Sequence, residues 1–233
     1  MKIAVIISRN KNSRTENNSK KIFCGKPIIA YPIEAAISSG LFDDVIVLTQ
    51  DEDIVSISQQ YGAKVSNTID KEYVDCCDIL DELICVLSKY KKNGVCPDKV
   101  CCIYSTVPFV TKEKLNTANR IMDKNKANAV VSVVKYSFPP QRGRVIDKDY
   151  LKYKWPENIL KRSQDLEPLY YDAKQVYLYN VEAVINEHTV IPQKSIPYIQ
   201  KETEVQDIES NDDWKVAEIK YMEMIKNNDG LGE

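Results

Sequence analysis

Four short runs of nearly unbroken apolar residues, each parted from the next by a helical pattern, constrain this chain more than any other feature. They are residues 3–7, DDVIVLT (43–49), DKVCCIY (98–104) and AVVSVVKY (129–136). A strand that is apolar at every position has to be covered on both faces, as the strands of a parallel sheet are. Helical patterns fill the gaps. Pro27 precedes one through Ile33, Ala35, Ala36 and Ile37, ended by Gly40. Asp51 caps a helix over 52–61 that Gly62 stops, and 63–65 reads as a short strand. Residues 75–90 place Ile79, Leu83, Val86 and Leu87 at helical spacing, and Thr111 opens a helix to Met122. The alternation predicts an α/β fold with a mostly parallel sheet flanked by helices. In such sheets ligands sit beyond the carboxyl ends of the strands.

The loop that leaves the first strand therefore carries weight. SRNKNSRTENNSKKIFCGKP (8–27) offers Arg9, Lys11, Arg14, Lys20 and Lys21 against one acid, Glu16, and has no glycine before Gly25. A cationic loop in that position suits phosphate groups, and it equally suits a solvated basic surface. The rest of the chain narrows the partners. Net charge is −2 over 233 residues, which gives no general attraction for nucleic acid or an anionic membrane. No apolar run approaches the roughly 20 residues of a membrane-spanning helix. Seven cysteines without a C-x-x-C, and a single histidine, His188, argue against zinc and for free thiols in a reducing cytoplasm.

After Tyr136 the texture changes. FPPQRGRVIDKDYLKYKWPEN is rich in proline, tyrosine and charge, with an alternating patch that predicts a hairpin, so 137–168 reads as an insertion projecting from the sheet. QVYLYN (175–180) returns to the core. VQDIESNDDW then leads into a closing helix over 215–225, with a frayed tail beyond. In DIESNDD, Ser210 is a helix cap with Asp212 and Asp213 in the first turn, while Asp207 and Glu209 precede it on one face of an extended segment.

These stretches, taken in order, resemble one family. FCGKPIIAYPIEAAISSGLFDDVIV, CCIYSTVPF, FPPQR, WPEN, RSQDLE, YYDAKQVYLYN and VQDIESNDDW are similar to motifs of the acylneuraminate and other nonulosonic acid cytidylyltransferases. The later motifs resemble the pseudaminic acid branch more than the sialic acid branch. The resemblance covers about 220 residues and implies a Rossmann-like nucleotidyltransferase sheet. It also implies a reaction in which the anomeric hydroxyl of a nine-carbon sugar acid attacks the α-phosphorus of CTP and pyrophosphate leaves. Its residues carry over as follows. Arg9, Asn10, Arg14, Lys21 and Thr106 would meet the nucleotide. Arg9, Lys21 and Asp207 would act in catalysis, and Asp207 and Glu209 would hold Mg²⁺. Gln141, Arg142, Arg162, Gln164 and Asp165 would face the sugar, Arg162 as partner to its carboxylate or else as half of a structural ion pair. By the same resemblance the 137–168 insertion reaches a second subunit and makes a homodimer.

The chain departs from the family pattern at the nucleotide end. Asn10-Lys11 stands for Gly-Gly, Ser13 for a lysine, Thr15-Glu16 for Ile-Pro and Ser19 for an asparagine. Gln50 replaces an acid after the second strand. Tyr171 and Lys174 replace a histidine and a glycine. Three readings follow: an active cytidylyltransferase with an atypical loop, a family member kept for binding a partner, and a nucleotidyltransferase with another nucleotide choice.

Overall fold

A computed structural model describes residues 1–8, 18–66 and 79–228. The apolar runs form strands and the periodic segments form helices. β1 (Lys2–Ile7) is followed by a short hairpin, β2 (Ile22–Phe23) with β3 (Lys26–Pro27). Gly25 turns that hairpin at φ 102, a conformation side chains rarely adopt, which explains a glycine before Lys26-Pro27. Then come α1 (Ala30–Ser38), β4 (Asp44–Leu48), α2 (Glu52–Gln60), β5 (Lys64–Ser66), α3 (Ile79–Lys92), β6 (Lys99–Tyr104), α4 (Lys112–Asn125) and β7 (Ala129–Lys135). Asp51 caps α2 as expected, its Oδ1 accepting from the N–H groups of Asp53 (2.9 Å) and Ile54 (3.3 Å). Thr111 likewise caps α4, accepting from Lys114 N at 3.3 Å.

The alternating stretch inside 137–168 is a separate hairpin, β8 (Arg144–Asp147) with β9 (Tyr150–Tyr153). β10 (Tyr170–Asn180) is longer than its last six residues suggested. α5 (Val181–Glu187), β11 (Ser195–Gln200) and α6 (Asn211–Asn228) complete the chain. The seven-stranded sheet runs β11-β7-β10-β6-β1-β4-β5. Its pairs are parallel except that β10 runs antiparallel to both β6 and β7.

Period-two alternation splits the sheet's side chains between two cores. Ala4 and Ile6 pack with Ile33, Ile54 and Leu115 from α1, α2 and α4 on one face. Ile3, Val5 and Ile7 pack with Leu83, Val86 and Leu87 of α3 on the other. A third cluster fixes α6. Phe23 of β2 meets Tyr31, Trp214 and Tyr221 edge-on, with ring centroids 5.7, 5.4 and 5.4 Å away. Ile208 and Ala217 close that cluster. The C-terminal helix is thereby clamped beside the hairpin where the opening loop returns.

Candidate active site

The carboxyl ends of β1, β4 and β6 lie side by side, and three buried serines join them to the returning loop. Ser8 Oγ donates to Ser19 Oγ at 3.0 Å, and the hydroxyls of Ser19 and Ser105 share a hydrogen bond of 2.8 Å. The backbone N–H of Ser8 donates to Leu48 O (3.0 Å) and that of Ser105 to Ile7 O (3.1 Å). Buried polar groups need partners, and these small hydroxyls satisfy one another between the ends of β1 and β6 and the returning loop. Ser19, in the place of the family asparagine, is thus a tie between strand ends. Thr106 stands next to Ser105, in the turn after β6. Arg9, Asn10 and Arg14 lie outside the described residues.

Lys20 and Lys21 point to different tasks. Lys20 lies 2.5 Å from Asp53 and 3.5 Å from Asp51, and the Asp53 hydrogen bond raises its pKa. It is thereby held on the first turn of α2. Lys21 is exposed, with its ammonium 5.8 Å from the centre of the Trp214 ring. That contact places it at the N-terminal turn of α6, which residues 207–210 enter.

That entry is a capping box. Ser210 Oγ accepts from Asp213 N (3.2 Å), and Asp213 Oδ2 accepts from Ser210 N (2.8 Å), Ser210 Oγ (2.7 Å) and Glu209 N (3.2 Å). The Ser210 hydroxyl bond, with the two N–H groups, holds the Asp213 carboxyl below the usual carboxylate range. Val205 and Ile208 are buried on the inner side. Asp207 and Glu209 face out together, as the i, i+2 spacing predicts.

Both acids converge on one cation, the ammonium of Lys174, which is ion-paired to Asp207 and 3.8 Å from Glu209 Oε1. Burial opposes the charge on Lys174, but the bond to Asp207 and the nearby charges of Asp207, Glu209 and Asp172 outweigh it, so its pKa is raised. The donor set suits a hard divalent ion, which takes carboxylate oxygens and keeps water. Among the described residues no cluster of three His, Cys, Asp or Glu side chains forms a fuller metal site.

The sugar-side candidates gather at the base of the insertion. Arg162 is bidentate on Asp165, with Nε and Nη2 at 2.8 and 3.1 Å from its two oxygens. Arg142 Nη1 donates to Ser163 Oγ at 3.3 Å, and Gln141 Nε2 to the Glu167 carbonyl at 2.7 Å. Gln164 is exposed beside them. The structure brings Gln141, Arg142, Arg162, Gln164 and Asp165 into one patch in which Arg162 already holds a carboxylate.

A profile of the family described as "Cytidylyltransferase" matches residues 3–227. This chain belongs to the cytidylyltransferase family. The pseudaminic acid cytidylyltransferase of Campylobacter jejuni (serotype O:2) is 30% identical over 224 residues, spanning 94% of this chain and 95% of that one. The CMP-N,N'-diacetyllegionaminic acid synthase of Legionella pneumophila is 28% identical over 232 residues, 95% and 96% of the two chains. Among solved structures, a CMP:2-keto-3-deoxy-manno-octonic acid synthetase complexed with CTP superposes with a TM-score of 0.67. It covers 97% of this chain and 99% of its own at 15% identity, a likeness of fold. The family is the one the motifs resembled.

Two features of the site escaped the motif reading. The serine tie joins residues 8, 19 and 105, and nothing local marks Ser8 and Ser105 as partners. Lys174 showed only as a residue where the family has glycine; its reach to Asp207 is a product of the fold.

Proposed function

We propose that this protein transfers CMP from CTP to a nonulosonic acid of the pseudaminic or sialic type, releasing pyrophosphate. One observation carries the reading: in a chain of the cytidylyltransferase family, an acidic pair converges on a single cation just before α6, the helix whose Trp214 carries the exposed Lys21. The names of the relatives supply the substrate class. The anomeric oxygen forms a bond to the α-phosphorus, the bond from that phosphorus to the pyrophosphate oxygen breaks, and the hydroxyl proton passes to water. There is little covalent work for side chains in such a transfer, so positioning and neutralisation of charge dominate. Lys21, with Arg9 and Arg14, would bind and orient the triphosphate, and Asn10 and Thr106 would border it. Asp207 and Glu209 would hold Mg²⁺, which when bound would offset charge on the phosphate oxygens. Arg162, freed from Asp165, would take the sugar carboxylate, with Gln141, Arg142 and Gln164 around it. A homodimer, joined through the projecting hairpin, would bring two such patches together.

Thermal unfolding with CTP, UTP, ATP and GTP, each with and without Mg²⁺, tests the nucleotide half without a rare sugar. A ligand at 100 times its Kd stabilises by about 2.7 kcal/mol, or roughly 5–10 °C for a chain of this size. The expected result is a Mg²⁺-dependent shift with CTP alone, followed by pyrophosphate release when pseudaminic acid is added. A shift with another nucleotide, or none with any, overturns the reading.

A further inference from the structure

Lys174 stands where a side chain is least at ease. Its φ is 54°, in the left-handed region that favours glycine. It lies within an irregularity of β10, where the register to β7 shifts between Asp172 and Tyr177. Bulges of this kind re-aim side chains near functional sites.

This one is fixed from beneath. Ser132 Oγ of β7 accepts from the N–H groups of Gln175 (3.3 Å) and Val176 (2.9 Å). The buried Gln175 side chain accepts from Lys114 Nζ (3.3 Å) and donates to the Glu204 carbonyl (2.6 Å). Asp172 Oδ1 accepts from Lys174 N at 2.8 Å, and its other oxygen accepts from the Tyr177 hydroxyl. The backbone of Lys174 is therefore held by groups on β7, α4 and the segment before α6. From that fixed backbone the side chain carries its ammonium to Asp207 and Glu209.

We propose that Lys174 is a tethered cation that occupies the Asp207–Glu209 pair in the nucleotide-free protein, and that a divalent ion binds there only by displacing it. The inference rests on the reading of Asp207 and Glu209 as the metal-holding pair. It deepens that reading: metal loading is an exchange of one cation for another, not the filling of an open site. In the free protein one ammonium already offsets one of the pair's two negative charges, so a metal gains less than it would at two bare carboxylates. When a triphosphate arrives its oxygens add ligands that an ammonium cannot exploit as a divalent ion does, and the balance moves toward the metal. The displaced ammonium stays at the same corner because the bulge does not move. Binding of metal and of nucleotide is therefore cooperative by construction, each easing entry of the other.

The test is a titration of the nucleotide-free protein with Mn²⁺, followed by calorimetry and by the electron paramagnetic resonance signal of free Mn²⁺. Wild type is compared with K174M, which keeps the apolar stem and removes the charge, and with K174G, which also relieves the backbone. Both variants are first checked for a cooperative melt. The expected result is Mn²⁺ binding about tenfold tighter or more in K174M and K174G, a coupling of ordinary size between ligands of one site. The gain should vanish when D207N is added to K174M. Equal affinity in wild type and both variants overturns the tethered cation and leaves the metal assignment standing. Tighter binding that survives in K174M/D207N also overturns it, since the ion then sits elsewhere. If no version binds Mn²⁺, with or without CTP, the acidic pair is not a metal site, and both inferences fall.

Discussion

The corner around Asp207 and the segment 137–168 solve opposite problems. At the corner, charged groups are met from within the chain. Lys174 answers Asp207 and Glu209, Ser210 answers Asp213, and a buried network beneath holds the backbone in place. The projecting segment turns large apolar side chains outward instead. Ile146 is 78% exposed, Tyr150 73%, Leu151 67% and Leu160 96%. Single exposed apolar residues are ordinary, but several on one hairpin form a patch of the kind used for interaction. The comparison teaches that the charges of the acidic corner are met within the chain, while the apolar side chains of the hairpin are left facing solvent.

The sharpest way to break this comparison is at Asp207. Asp207→Ala should lower pyrophosphate release by about 10²-fold or more, the scale of losing a principal charge-organising group. The melting midpoint should hardly move, because a half-exposed ion pair contributes about 1 kcal/mol or less. A large drop in midpoint with activity retained would make the corner a structural device.

The next effect falls on the other region. Replacing Ile146 and Leu151 together with aspartate should convert a dimer to a monomer at micromolar concentration, read by light scattering, with a rise in the dissociation constant of about 100-fold or more. Each side chain gives up roughly 1.5–3 kcal/mol of burial at such an interface. The fold should survive, since the hairpin is a two-stranded sheet of its own, not hydrogen-bonded into the seven-stranded one. A wild type that is already monomeric would remove the partner from the argument.

The smallest effect concerns the cap. Asp213 has a folded pKa below its unfolded value. Its contribution is present above the unfolded pKa of about 3.9 and is lost as pH falls through the folded one. Asp213→Asn should flatten the acid limb of a melting-midpoint-against-pH profile below about pH 4, by less than about 1 kcal/mol because the group is screened by solvent. An unchanged acid limb would show that the box does not anchor residues 207–210.

Much of this was legible in the residues. The four apolar runs became parallel strands because a strand covered on both faces can afford no polar side. Asp51, Thr111 and Ser210 capped the helices they were expected to cap, since a cap is a contact between near neighbours in sequence. The placement of Asp207 and Glu209 on one face followed from their spacing. Less visible was β11, whose SIPYIQ carries Pro197 and gave no strand signal; as an edge strand bonded on one side only, it tolerates the missing N–H. The reversal of β10 was also hidden, because direction within a sheet is settled by long-range pairing.

By itself, then, the sequence determined the alternation of elements, their caps, the family and the acidic pair, all features written in local pattern or in ordered motifs. Tertiary structure decided which distant groups meet. It joined Ser8, Ser19 and Ser105 across three chain segments, seated Lys21 on Trp214, paired Arg162 with Asp165, and swung Lys174 on a bulge to the acids 33 and 35 positions further along. Spacing along a chain fixes which face a residue takes within its own element. Only the packing of elements fixes what that face looks upon.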